Sequence, residues 1–117
     1  MDTEFLLSML TAKDTKQAYG ALLELEHISE ESNNLYPCTA RFADMVSDQA
    51  WAVRCRGFWL FCKQARWDED GVIDRCLDQA LAILEDEKPT AVRQALAALM
   101  DLVPYTQALW PAIRRPL

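Results

Sequence analysis

The residues best suited to chemistry in this chain are its four cysteines, Cys38, Cys55, Cys62 and Cys76, and its single histidine, His27. No two cysteines form a C-x-x-C pair, and His27 supplies no cluster with them. Cys55 and Cys62 fall seven residues apart on what reads as one helix, a separation of about 10.5 Å at about 1.5 Å per residue. Two thiolates sharing a zinc each lie about 2.3 Å from it, and a disulfide holds its Cα atoms within about 7 Å, so the pair suits neither. The spacing favours four reduced thiols in a cytoplasmic protein. No metal ligand set, cofactor site or catalytic set is expected. The chain has no Gly-rich phosphate loop, no H-E-x-x-H, no G-x-S-x-G and no Ser/His/Asp grouping, so an enzyme is not the expectation. A pair of carboxylates brought together from separate helices is the one catalytic arrangement that spacing leaves open.

Recognition is the other chemistry on offer, and charge indicates where. The chain carries 12 basic and 18 acidic side chains, net −6, which disfavours a general binder of nucleic acid or of anionic membranes. The balance is uneven. Residues 1–50 hold three basic and nine acidic side chains, and residues 68–117 hold five and nine. Residues 51–67 hold four basic ones, Arg54, Arg56, Lys63 and Arg66, and no acidic one. On a helical period the core stripe there is Val53, Gly57, Phe58, Leu60, Phe61 and Gln64, which leaves Cys55, Trp59, Cys62, Lys63 and Arg66 on the far side. A tryptophan beside two cations has the composition of a protein-binding hot spot.

The elements that must position these residues are all helical. The length, 117 residues, fits one domain, and three glycines with five prolines are too few for a turn-rich β fold. Phe5, Leu6, Met9 and Leu10 at helical spacing predict a helix over 3–11. Asp14 as N-cap with Gln17 as its capping-box partner predicts a second, to about Ile28, with Tyr19, Leu22, Leu23 and Leu25 as its apolar residues. Ser29 to Asn34 reads as a polar linker. Further helices are predicted over 35–46 with Pro37 in the first turn, over 50–66 after Asp48, and over 69–85 with Asp68 as N-cap and Trp67 stapled to Val72. The last two cover 89–103, begun at Pro89 and closed by Pro104, and 105–114. No stretch alternates with a period of two, no apolar run reaches 18 residues, and Met-Asp-Thr-Glu is not a basic leader, so neither a membrane span nor secretion is expected.

An internal repeat orders these helices. Asp48-x4-Val53-Arg54 recurs 39 residues later as Glu87-x4-Val92-Arg93, each followed by an apolar stripe. Lys16 occupies the equivalent place in a weaker first unit, 38 residues before Arg54. Two helices per period of about 39 residues resemble the HEAT-repeat superfamily, over about residues 14–104. Departures are the lysine for arginine, the missing valine before it, and the bulky Phe58-Trp59. Trp51 to Asp68 and Asp86 to Gln94 further resemble a group of small, poorly characterised bacterial HEAT-like proteins, some of which take their label from iron–sulfur cluster assembly. This cysteine spacing offers no cluster ligation.

The resemblance implies an all-α chain, a short α-α superhelix of about three helical hairpins. Its units would be 3–30, 35–66 and 69–103, with a terminal cap at 105–114 in which Leu109, Trp110 and Ile113 serve as cap or dimer contact. Lys16, Arg54, Arg93, Asp48 and Glu87 become scaffold residues, each arginine bonding an acidic turn residue of its own or the adjacent unit. Along the concave face the repeat offsets line up Gln17, Ala21 and Glu24, then Cys55, Trp59, Cys62, Lys63 and Arg66, then Gln94, Ala98 and Asp101. Trp59 between two alanines leaves a shallow groove, and the expected function is non-enzymatic binding of a partner helix or peptide there. The alternative is a nucleic-acid or phosphate ligand on the basic helix, by analogy with HEAT-like DNA glycosylases. Homodimerisation through the end units is a third option. Trp51, Trp67 and Trp110 are expected to pack or cap.

Overall fold

The computed structural model describes residues 3–105, and there the chain is all-α. Six α-helices follow one another: α1 (Thr3–Met9), α2 (Thr15–Glu31), α3 (Thr39–Met45), α4 (Trp51–Gln64), α5 (Val72–Leu81) and α6 (Pro89–Leu99). Short 3₁₀ turns precede α3 (Tyr36–Cys38), extend α4 (Ala65–Trp67) and α5 (Ala82–Glu85), and follow α6 (Val103–Tyr105). Of the predicted terminal cap, residues 106–114, with Leu109, Trp110 and Ile113, lie outside the described residues.

Local chemistry moves several boundaries from their predicted places. Helix α2 runs three residues past Ile28 because Ser29 faces inward, fully buried, and accepts at its hydroxyl from the Gln64 amide at 2.9 Å. Only the remainder of the polar stretch forms a linker. The Asp14 carboxylate caps α2 by accepting from the N–H groups of Lys16 and Gln17. At α5 the expected cap at Asp68 is displaced. The helix starts at Val72 behind Gly71, whose φ of +75° only glycine adopts without strain. Asp68 holds that loop from outside, accepting from the Val72 N–H at 3.1 Å and the Tyr36 hydroxyl at 2.6 Å. Helix α6 ends at Leu99, earlier than Pro104 requires, and Pro104 sits in the following 3₁₀ turn.

Consecutive helices α1 and α2 pack on each other, as do α3 and α4, while α6 packs on the 3₁₀ turn that extends α5. Between pairs α4 lies against both α2 and α6, and α3 lies against α5. Bonded partners advance in the same direction along α2 and α4 (Glu26 with Trp59, Glu30 with Lys63), so these two helices are parallel. Helix α4 is central: ten of its fourteen residues are buried, which is why it shows little amphipathicity. Phe42, Phe58 and Phe61 fill the core beside Leu10, Leu25, Leu35, Leu60, Ile73, Ile83 and Leu102. Gly57 lets α3 come close, since a Cβ there would collide with Met45 Cβ and stand 2.7 Å from the Phe42 carbonyl.

Candidate partner-binding groove

The basic residues of α4 do not form a solvated face. Arg54 turns to the next pair, where its Nε and a terminal nitrogen donate to the two Asp86 oxygens at 2.6 and 3.1 Å. Its other terminal nitrogen donates to the carbonyls of Asp48 and Gln49 in its own turn. The acidic partner is thus Asp86 and not Glu87, and Asp48 contributes a carbonyl while its carboxylate caps Ala50 N–H. Arg56 is buried and donates to the Leu10 carbonyl at 2.8 Å. Arg93 donates to the Thr90 hydroxyl at 3.4 Å.

Lys63 is buried and gathers three carboxylates: Asp101 at 3.1 Å, Glu30 at 3.2 Å and Glu26 at 3.6 Å. Burial pulls its pKa down, but hydrogen bonds to Asp101 and Glu30 outweigh that and hold the ammonium above the ordinary lysine value. Arg66 adds a looser ion pair to Asp101 at 3.8 Å. Glu26 also accepts from the Trp59 indole N–H. One cation therefore ties α2, α4 and the residues after α6 together.

Above this cluster, between α2 and α4, lies a groove of about 350 Å³. Its α2 wall is Thr15, Tyr19, Leu22, Leu23 and Glu26; its α4 wall is Trp51, Ala52, Cys55, Arg56 and Trp59; Gln94 of α6 closes one side. Tyr19 and Leu23, one turn apart on this wall, are 57% and 46% exposed; Phe5, Leu96, Met100 and Tyr105 are exposed elsewhere but do not line the groove. Lys88 sits over the Trp51 ring, 5.3 Å from its centre.

Of the residues the sequence nominated, Trp59, Cys55 and Gln94 line this groove together. Lys63 and Cys62 are buried beneath the surface, and Asp101 and Arg66 belong to the ion cluster at its end. Gln17 and Glu24 are exposed on α2 but do not line the groove. Ala21 and Ala98 are buried instead of flanking Trp59 as open surface. Sequence reasoning took Tyr19, Leu22 and Leu23 as apolar residues of the second helix without placing them at the groove, and did not nominate Glu26 or Ala52. The available signal was the width of the α2 apolar arc, broader than one neighbouring helix can cover.

No family model, curated protein or solved structure matches this chain. The thiols are unpaired: Cys62 and Cys55 are buried, Cys38 and Cys76 half-buried. Burial pushes the Cys55 thiol up, with the Asp86 charge adding to it. Among the described residues no group of three or more His, Cys, Asp or Glu side chains is placed to hold a metal ion. No helix there is long and apolar enough to cross a membrane. Trp67, half-buried, donates its indole N–H to the Ser29 carbonyl at 2.6 Å and so satisfies an α2 terminus.

Proposed function

We propose that this chain is a non-enzymatic protein-binding module that receives an apolar segment of a partner protein between α2 and α4. The observation that carries the reading is the groove wall: Tyr19, Leu22, Leu23, Trp51, Ala52, Cys55 and Trp59 make one apolar lining, half-open to solvent. Aromatic side chains seated in a partly desolvated pocket are the usual anchors of protein interfaces. A polar metabolite would find little here, because the two charged lining groups are engaged: Glu26 with Trp59 and Lys63, Arg56 with the Leu10 carbonyl. A phosphate ligand would have to compete with Asp86 for Arg54 and with three carboxylates for Lys63, so the basic stretch offers it few free donors.

The HEAT-like reading of the three helix pairs belongs to this proposal. It is supported by Arg54, which joins its own turn to the next, as the repeated Val-Arg pair implied. A reducing, cytoplasmic setting is also proposed, on the four unpaired thiols.

A photo-crosslinking residue at Tyr19 tests the function. In lysate of the source cells it should capture a specific protein, and Leu23→Asp should abolish capture while circular dichroism stays unchanged. Capture of nothing specific, or capture indifferent to Leu23→Asp, would sink the reading. Nucleic acid retained and then released by moderate salt would put the phosphate ligand in its place.

A further inference from the structure

Whatever fills the groove must satisfy its own backbone. Both walls are helices whose main-chain bonds close internally, and among the described residues there is no strand edge to extend. Glu26 and Arg56 are engaged, which leaves Thr15, the Tyr19 hydroxyl, the Trp51 indole N–H and Gln94 as the few side-chain partners on the lining. An extended segment pressed into this wall would bury N–H and C=O groups without partners, whereas a helix bonds its own. The α2 wall from Thr15 to Glu26 is about 16 Å long at about 1.5 Å per residue, three helical turns. That length matches anchors at positions i, i+4 and i+7 of a docked helix.

Charge then selects the polar face of that helix. At the Trp59 end the cation is inside and the anions are outside: the Lys63 side chain is 8% exposed, those of Glu26, Asp101 and Glu30 are 20%, 33% and 45%. Arg66 is 26% exposed and, among the described residues, pairs with Asp101. The rim there is acidic, in a chain of net charge −6. We infer that the occupant is an amphipathic α-helix with a basic polar face, its apolar stripe in the groove and a lysine or arginine over Glu30 and Asp101. This inference rests on the groove reading given above.

Three synthetic peptides of about 18 residues test it, all with the same leucine stripe. One carries lysines on its polar face, one carries glutamates, and one is the lysine peptide with two central prolines, which cannot stay helical. Binding is read by fluorescence anisotropy against the wild type, Leu23→Asp and Glu30→Gln, with folding of both exposed-site variants checked by circular dichroism. The lysine helix should bind at least about tenfold more tightly than the other two peptides. Leu23→Asp should weaken it by about tenfold, and Glu30→Gln by about two- to fivefold, the range of a partly exposed ion pair. Equal binding of the proline peptide would overturn the helical occupant, and equal or tighter binding of the glutamate helix would overturn the basic one; the groove reading survives both. Lysine-peptide binding indifferent to Leu23→Asp is diffuse attraction to an acidic protein and overturns the inference. If none of the three binds, the groove reading falls with it.

Discussion

Arg54 and Asp86 are 32 positions apart in the chain and joined by two hydrogen bonds, of 2.6 and 3.1 Å, that span from the second helix pair to the turn of the third. Their side chains are 15% and 6% exposed, so the fork is held mostly out of water. The Arg54 guanidinium and, after it, the Lys88 N–H hold the Asp86 carboxyl below the usual carboxylate range. The same guanidinium holds the carbonyls of its own turn, so one side chain fixes the position of one pair relative to the next.

Asp86→Ala should therefore lower stability by about 1.5–3 kcal/mol, the worth of charged hydrogen bonds left half-made. Glu87→Ala, exposed and beside it, should change stability by less than about 0.5 kcal/mol. Urea denaturation of the two variants separates the real scaffold acid from its neighbour.

The same pair sets a pH dependence. A carboxyl with a depressed folded pKa adds stability above its unfolded value, about pH 3.9, and loses it as pH falls through the folded value. Asp86→Asn should flatten stability against pH below about pH 4 and leave the slope between pH 5 and 8 unchanged, as followed by thermal melts. A parallel loss of slope across neutral pH would mean that other groups dominate.

Two glycines on helices should respond to alanine with opposite signs. At Gly57 the new methyl meets Met45 and the Phe42 carbonyl, and separating α3 from α4 should cost about 1–3 kcal/mol. At Gly20, exposed in the middle of α2, nothing lies within 4 Å of a new Cβ. There alanine should stabilise by about 0.5–1 kcal/mol through helix propensity alone. Denaturation midpoints of the two variants give the comparison, and two changes of the same sign would contradict the packing of α3 on α4.

Replacing Lys63 with methionine leaves Glu26, Glu30 and Asp101 facing one another with only the looser Arg66–Asp101 pair as compensation among the described residues. The expected loss is about 1–3 kcal/mol, less than for a fully buried pair because the carboxylates keep some water. Adding Asp101→Asn to Lys63→Met should restore part of that stability, although Asp101→Asn alone destabilises. Simple additivity in this double-mutant cycle would show that the cluster is not coupled.

The thiols should react in an order set by their surroundings. Cys76 and Cys38 are half-buried and should label in the native protein. Cys55, 8% exposed and with its thiol pushed up by burial, should follow more slowly and be protected by a groove-bound peptide. Burial, then the Asp101 charge, pushes the Cys62 thiol up strongly, so it should label only on unfolding. Time-resolved mass spectrometry of a disulfide-exchange reagent reads all four. Rapid native labelling of Cys62 would contradict the central burial of α4.

The sequence by itself determined that the elements are helical. Apolar residues at helical spacing, the cap at Asp14 and Pro89 at a first turn are local signals, and each acts within a few residues of where it is read. The Val-Arg repeat was legible for the same reason, but what each arginine bonds was not: Arg54 takes Asp86, and Arg93 the Thr90 hydroxyl. Nor was the groove legible. Trp59 was found, but its neighbours depend on how α2 is rotated and slid against α4, and that is settled by burying Ala18, Ala21, Leu25 and Ser29. This packing turns Gln17 and Glu24 away from the groove and brings Tyr19, Leu23 and Glu26 to it. Charge misled in the same way: residues 51–67 read as a basic face because the anions of Arg54, Lys63 and Arg66 come from 32 to 38 residues away, Asp86 for Arg54, Glu26, Glu30 and Asp101 for Lys63, Asp101 for Arg66. Helix propensity is a property of neighbours in sequence, whereas the neutralisation of a charge and the opening of a groove belong to neighbours in space, and only the tertiary structure supplies those.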